Sequence, residues 1–144
     1  MNVKRTGLIM AVVAVVVLAL ALPALAGGRP LSASLTGAAE VPNPGDPDGS
    51  GTMELTLNQG QGEICFDLEV ADVAPLTAAH IHVGEAGSNG GVVVNFNIAV
   101  NGLEGCVDVG KALVKEIRQN PGGYYINVHN GDFPAGALRG QLEK

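Results

Sequence analysis

The sequence predicts an all-β domain, an antiparallel Greek-key-like β-sandwich or barrel of seven or eight strands with one short helix, after a signal peptide. Short runs of Val, Ile, Thr and Leu alternate with polar residues, which is the period of a half-buried strand. The chain has 21 glycines and 8 prolines, which separate these runs as turn residues do. Helical segments rich in Leu, Lys and Glu are scarce.

The first half of the domain is predicted to contain a strand followed by a β-hairpin. Residues 31–36 alternate Leu and Ala with Ser and Thr, which suits a first strand. Residues 42–51 are rich in Pro, Gly and Asp, so we expect a loop there. Residues 53–57 and 64–70 alternate again on either side of the turn sequence at 58–62, which predicts the hairpin.

The second half is predicted to add the helix and further strands. Residues 111–119 are the one stretch with helical periodicity, since Leu113, Val114 and Ile117 share a face. The sequence Asn-Pro-Gly-Gly at 120–123 ends that helix. The remaining strands are predicted at 76–83, 92–100, 124–129 and 137–142, with a glycine-rich turn at 84–91 between the first two.

Residues 1–26 have the pattern of a cleavable secretory signal peptide. Two positive charges, Lys4 and Arg5, precede an uninterrupted apolar stretch, and small residues at alternate positions follow it. We therefore predict cleavage before Gly27 and a single exported domain at 27–144, secreted or held in the cell envelope. The alternative is an uncleaved N-terminal anchor, although the apolar run is short for a bilayer span.

The charge balance excludes one class of partner. The whole chain has a formal net charge of −6, and loss of Lys4 and Arg5 makes the remainder more acidic. Such a chain does not bind phosphate backbones, so we expect no nucleic-acid partner. Separately, cleavage of the signal peptide predicts no membrane partner for the exported domain.

The two cysteines, Cys65 and Cys106, are predicted to form a disulfide. Export takes them to an oxidising environment, where paired thiols persist. Two separate buried thiols are the alternative. Neither interpretation gives the cysteines a catalytic role.

Four ordered segments carry a family resemblance. They are AAHIHVG at 78–84, GSNGGVVV at 87–94, NPGGYYINVH at 120–129 and FPAGALRGQL at 133–142. Together they resemble the CHRD (chordin-type) domain family over nearly all of residues 31–142. The resemblance implies an extracellular β-fold module with a binding or structural role. Growth-factor antagonism is not implied, because the cysteine-rich repeats that accompany these domains in chordin are missing from this sequence.

The three histidines of the chain all lie in these segments and are the candidate metal ligands. His80 and His82 share a strand face, with side chains about 7 Å apart along the strand. His129 could join them if its strand lies beside residues 78–83. Three neutral imidazoles suit copper or zinc, and copper has the higher intrinsic affinity. The alternative is a structural role, in which the rings donate N–H groups to buried carbonyls.

The histidine pattern also faintly resembles the copper site of copper/zinc superoxide dismutases. Those β-barrels use a His-x-His strand, a distant histidine and a late Gly-x-x-Arg segment, which would correspond here to residues 136–139. The bridging histidine and the zinc-loop ligands of such enzymes are missing, since no fourth histidine exists.

The sequence thus predicts a non-enzymatic, secreted CHRD-domain binding or structural module, with copper or zinc bound through His80, His82 and His129 as the specific hypothesis. One alternative is a copper-dependent redox enzyme resembling a superoxide dismutase. Another is a metal-free module for protein interaction or envelope structure. Ser50, Thr77 and Ser88 lack a recognisable paired acid and base, so we assign no catalytic residues. The sequence identifies neither a protein partner nor an oligomeric state.

Overall fold

The structure, a computed structural model, describes residues 27–144. The predicted signal peptide at 1–26 lies outside the described residues. Within the described part of the chain, no helix is both long enough and apolar enough to cross a membrane.

Eight antiparallel strands form one sheet that curls into a half-barrel. In chain order they are β1 (Arg29–Thr36), β2 (Ser50–Asn58), β3 (Glu63–Ala71), β4 (Leu76–Val83), β5 (Val92–Asn95), β6 (Glu104–Asp108), β7 (Tyr124–Asn130) and β8 (Leu138–Gln141). Two helices, α1 (Ile98–Asn101) and α2 (Lys111–Gln119), and two 3-10 turns, Gly37–Ala39 and Pro121–Gly123, connect them. The predicted all-β antiparallel class is confirmed, and the strand count is eight.

The sheet consists of two four-stranded halves. The order is β5-β4-β7-β8-β1-β2-β3-β6, so β8 and β1 join the halves. Phe66 of β3 and Phe96, just beyond β5, have ring centroids 4.6 Å apart, although β3 and β5 are distant in that order. The two halves therefore fold towards each other around a shared core.

The predicted hairpin and helix are both present. Strands β2 and β3 pair in register from Ser50↔Ala71 to Asn58↔Glu63 across the turn. Helix α2 has the predicted bounds and buries Val114 and Ile117 in the core. These apolar side chains hold the helix against the sheet, as expected for a short amphipathic helix.

The strand predicted at 92–100 is wrong in its second half. The described residues contain two α-helices, whereas the sequence predicted one. Strand β5 ends at Asn95, and Asn97 takes a left-handed backbone conformation with φ of 51°. Asparagine tolerates that conformation better than most residues. The chain then forms the single helical turn α1, and Asn101 Nδ2 donates to the Phe96 carbonyl at 2.9 Å.

The core lies on the inner face of the curled sheet. Alternate residues of the strands point into it, and all are less than one-tenth exposed. They include Leu31, Leu35, Met53, Leu55, Leu57, Ile64, Phe66, Leu68, Ile81, Ile126, Val128 and Leu138.

Cys65 and Cys106 are direct cross-strand neighbours on β3 and β6. Their sulfur atoms lie 2.06 Å apart, at disulfide distance. Cys65 is half-buried and Cys106 is exposed, so the pair lies at the margin of the fold, away from the core.

Strands β4, β7 and β8 carry polar side chains on the opposite face of the sheet. His80 pairs with Asn127 and His82 with Tyr125, and directly paired residues share a face. Strand β8 continues both rows. We call this set the polar face: His80, His82, Tyr125, Asn127, His129, Arg139 and Gln141.

Candidate metal centre

The three histidines converge on the polar face. Strands β4 and β7 are neighbours, with Ala78 opposite His129, so the condition for convergence is met. One ring nitrogen of each of His80, His82 and His129 lies within 4.8 Å of the other two. The closest pair is His80 Nδ1 and His129 Nε2, at 3.2 Å.

Backbone carbonyls fix the orientation of two of the rings. His82 Nδ1 lies 2.9 Å from the Gly90 carbonyl oxygen, and His129 Nδ1 lies 3.1 Å from that of Pro134. Because a carbonyl only accepts, each Nδ1 carries the proton in these contacts. Each neutral ring therefore keeps its lone pair on Nε2.

Two polar atoms of this face are buried without a hydrogen-bond partner among residues 27–144. They are His82 Nε2 and Asn127 Oδ1. Burial of an unsatisfied polar group costs about 1–3 kcal/mol. A lone pair on His82 Nε2 that faces no donor beside two other imidazoles is available to a metal ion.

The surroundings favour neutral imidazoles. Burial, together with smaller effects of the neighbouring His129 and His82 rings, lowers the pKa of His80 to about 4. Burial also lowers the pKa of His129, opposed by its contact with the Pro134 carbonyl. His80 and His129 are therefore uncharged at neutral pH, which is the state that binds a metal.

An aromatic ring and a guanidinium group lie next to the histidines. The ring of Tyr125 stacks on that of His82 with centroids 4.9 Å apart and planes 13° from parallel. The guanidinium carbon of Arg139 lies 3.5 Å from the Tyr125 ring centroid. Sequence reasoning gave Tyr125 no function, although strand alternation already placed it two residues from Asn127 and four from His129 on one face.

Arg139 is buried, with 1% of its surface exposed, and all its contacts are within the protein. Its guanidinium donates to Asn89 Oδ1 at 3.0 Å, to the Glu85 carbonyl at 3.1 Å and to the Ser88 carbonyl at 2.6 Å. Arg139 is therefore engaged with the loop between β4 and β5 and is too buried to contact a solute directly.

A buried carboxyl lies close to this face. Glu40 is 7% exposed, and its Oε1 accepts a 2.7 Å hydrogen bond from Asn127 Nδ2. Burial raises the pKa of Glu40, while the charge of Arg139 and the bond from Asn127 act in the other direction. No sequence pattern pointed to Glu40, which lies between β1 and the loop at 42–51.

A second group of possible ligands is Glu63, Cys65 and Cys106. Both cysteines are committed to the disulfide, so this group offers a metal no thiolate. Among the described residues, the histidines are the set in which every member has a ligand atom to offer.

Comparison with known families agrees with the resemblance in the sequence. The profile of the CHRD domain matches residues 31–142. The chain belongs to the CHRD domain family. The matched range contains all eight strands except the first two residues of β1, and it contains the whole polar face of the domain. No curated protein and no solved structure shows a significant match to this CHRD chain.

Proposed function

We propose that this CHRD domain is an exported binding module that holds a copper or zinc ion through His80, His82 and His129. Two observations carry the proposal: three imidazoles converge, and the Nε2 atom of one of them, His82, is buried with no hydrogen-bond partner among residues 27–144. A metal ion accepts that lone pair and removes the cost of leaving it unpaired.

The spacing of the nitrogens supports the assignment. Zinc and copper bind histidine nitrogen at about 2.0–2.1 Å, which places two ligands of a tetrahedral ion about 3.3 Å apart. His80 Nδ1 and His129 Nε2 are 3.2 Å apart. All three ligand nitrogens lie within 4.8 Å of one another, so the rings need to close by no more than about 1.5 Å around the ion.

The contacts behind the rings also suit metal ligands. Metal-binding histidines usually donate their second ring N–H to a carbonyl or carboxylate, which fixes the tautomer. Gly90 and Pro134 supply such carbonyls to His82 and His129. His80 would supply Nδ1 as its neutral Nε2–H tautomer, in which the ring proton is on the other nitrogen.

Copper is the favoured ion. Its intrinsic affinity for nitrogen ligands exceeds that of zinc, and the set contains no carboxylate that would favour a harder cation. When bound through His80, His82 and His129, the ion would supply a Lewis-acid centre.

A copper redox enzyme resembling superoxide dismutase is the weaker alternative. Its Gly-x-x-Arg segment corresponds to 136–139, and Arg139 of that segment is buried and bonded to the loop at 84–91. An arginine so buried is not available for direct contact with an anionic substrate. A metal-free interaction or envelope module stays an outcome of the test below.

Export is part of the proposal. The signal pattern at 1–26, the acidic charge and the cysteine pair at disulfide distance support it. Mass spectrometry of the protein recovered after export tests the cleavage site. A chain that begins at Gly27 is expected, and a retained N-terminus would contradict cleavage.

The central experiment is Cu(II) and Zn(II) titration of the exported protein beside His80→Ala, His82→Ala and His129→Ala variants. We expect one ion per chain and loss of tight binding in each variant. Glu54→Gln, an exposed change on the distant strand β2, is the matched control and should bind as the wild type does. Equal binding by the wild type and the histidine variants would show that the rings only brace the fold.

A further inference from the structure

We infer that Tyr125 and Arg139 are positioning residues of the histidine site: Tyr125 fixes the ring of His82, and Arg139 fixes Tyr125 and the loop that carries Gly90. This inference rests on the proposed function and names residues outside the ligand set that determine its affinity.

His82, Gly90 and Tyr125 form a closed ring of contacts. The His82 Nδ1–H donates to the Gly90 carbonyl at 2.9 Å, and the Gly90 N–H donates to the Tyr125 hydroxyl at 3.2 Å. The Tyr125 ring in turn stacks on the His82 ring, with the two ring centroids 4.9 Å apart. A hydrogen bond along one edge and a stacked ring across one face together fix both the direction and the tilt of the His82 imidazole.

Arg139 contacts both Tyr125 and the loop that carries Gly90. Its guanidinium lies over the Tyr125 ring, on which a planar cation is attracted to the π face. The same group donates to Glu85, Ser88 and Asn89, which precede Gly90 in the loop. One buried side chain therefore anchors the two partners of His82, the stacked ring and the carbonyl-bearing loop.

The loop at 84–91 is anchored at further points. Gln141 Nε2 donates to the Gly84 carbonyl at 2.7 Å, and Asn89 Nδ2 donates to the Val41 carbonyl at 2.9 Å. A Cβ atom at Gly90 would overlap the Val83 carbonyl oxygen, so only glycine lets the loop approach β4 this closely. The Gly90 carbonyl is thus held in place before any ion binds.

This arrangement makes His82 a pre-oriented ligand. A ring already held in its binding orientation loses little rotational freedom when the metal arrives, so affinity is gained. Loss of such outer contacts typically lowers metal affinity 10–100-fold. Residues that touch no metal are therefore expected to control how tightly the three histidines bind it.

The test compares Tyr125→Leu and Tyr125→Phe by Cu(II) titration against a competing chelator and by the electron paramagnetic resonance of the bound Cu(II). Tyr125→Leu removes the stack and the hydroxyl, and its Cu(II) affinity is expected to fall about 10–100-fold with a broadened spectrum. Tyr125→Phe keeps the stack and is expected to lose less than Tyr125→Leu, with the wild-type spectrum retained.

Tyr124→Leu is the matched control. Tyr124 belongs to the core cluster on the other side of β7, so its loss weakens packing without touching the histidines. We expect lower stability but unchanged Cu(II) affinity and spectrum. A fall in affinity equal to that of Tyr125→Leu would show that general loosening of β7, and not the stack, is responsible, and would overturn the inference.

Arg139→Lys is a second, independent test. Lysine keeps the charge but lacks the planar fork that reaches three acceptors. Its Cu(II) affinity is expected to lie between those of the wild type and Tyr125→Leu. Wild-type affinity in folded Tyr125→Leu or Arg139→Lys protein would overturn the role of that residue and leave the proposed function intact. Absence of Cu(II) binding by the wild type would overturn both.

Discussion

Asn127 donates a 2.7 Å hydrogen bond to the carboxyl of Glu40, from the middle of strand β7 to the segment that follows β1. Both residues are at least nine-tenths buried. The bond joins residues 87 positions apart in the chain and connects the two halves of the sheet on the polar face. It also orients the Asn127 amide so that Oδ1 faces away from Glu40.

Replacement of Glu40 by alanine should destabilise the domain. The change leaves Asn127 Nδ2 buried without an acceptor, at an expected cost of about 1–3 kcal/mol in unfolding free energy. Urea unfolding measures it. Glu40→Gln keeps an acceptor and should cost less, while Glu54→Ala on the exposed face of β2 should stay within about 0.5 kcal/mol of wild type. Equal stability of Glu40→Ala and Glu54→Ala would contradict the assigned role.

The metal-free protein should lose stability as the pH falls from about 6.5 to about 4. The pKa of His80 in the folded state is about 4, against about 6.5 when unfolded, so the unfolded chain takes up a proton first. The loss of this stabilising contribution is complete below about pH 4. The raised pKa of Glu40 acts oppositely, because the folded state then takes up that proton first.

A His80→Gln variant separates the two effects. Its urea midpoint should depend less on pH in this window than that of the wild type, and Glu40 is unchanged in both proteins. Identical pH profiles would mean that His80 does not become harder to protonate on folding.

Loss of the cysteine pair should cost stability without affecting the histidines. Cys65 and Cys106 are 41 residues apart, and closing a loop of that length stabilises a fold by about 3–4 kcal/mol in the chain-entropy treatment. Thermal unfolding of the Cys65→Ala/Cys106→Ala double variant measures the loss. The reduced wild type should match it, and an unfolding temperature that reduction leaves unchanged would contradict the prediction.

Helix α2 should be bound to the sheet mainly through its two buried residues. Ile117→Ala is expected to destabilise the domain by about 2–5 kcal/mol, since Ile117 is fully buried. Lys115→Ala, on the exposed side of the same helix, should change the unfolding free energy by less than about 0.5 kcal/mol. A small effect of Ile117→Ala would show that α2 packs loosely.

Local patterns in the sequence were sufficient for the elements whose structure is determined locally. The hairpin of β2 and β3 follows from the alternation on either side of the turn sequence at 58–62. The bounds of α2 follow from helical spacing and from the Asn-Pro-Gly-Gly sequence that ends the helix. The end of β5 was missed because apolar alternation continues past it, while the left-handed conformation of Asn97 redirects the chain. Strand β6 has too short a pattern to be recognised alone.

The grouping of the histidines was predictable in part, but the contacts around them were not. The alternation rule placed His80 and His82 together, whereas the approach of His129 depends on the pairing of β4 with β7, which local periodicity does not specify. The burial of Arg139 was not foreseeable either. Its acceptors are supplied by a loop more than fifty positions earlier, so the cost of burying the cation is offset by groups remote in sequence.

The separation of His80 and His129 along the chain has a consequence for assembly of the centre. These residues are 49 positions apart, on strands that become neighbours only after β5, β6 and both helices have been laid down between them. A nascent chain that stops before β7 has two histidines on an incomplete sheet. Under the proposed function, copper or zinc capture by all three histidines therefore requires β7 to be paired with β4, and occupancy would report that this pairing is complete.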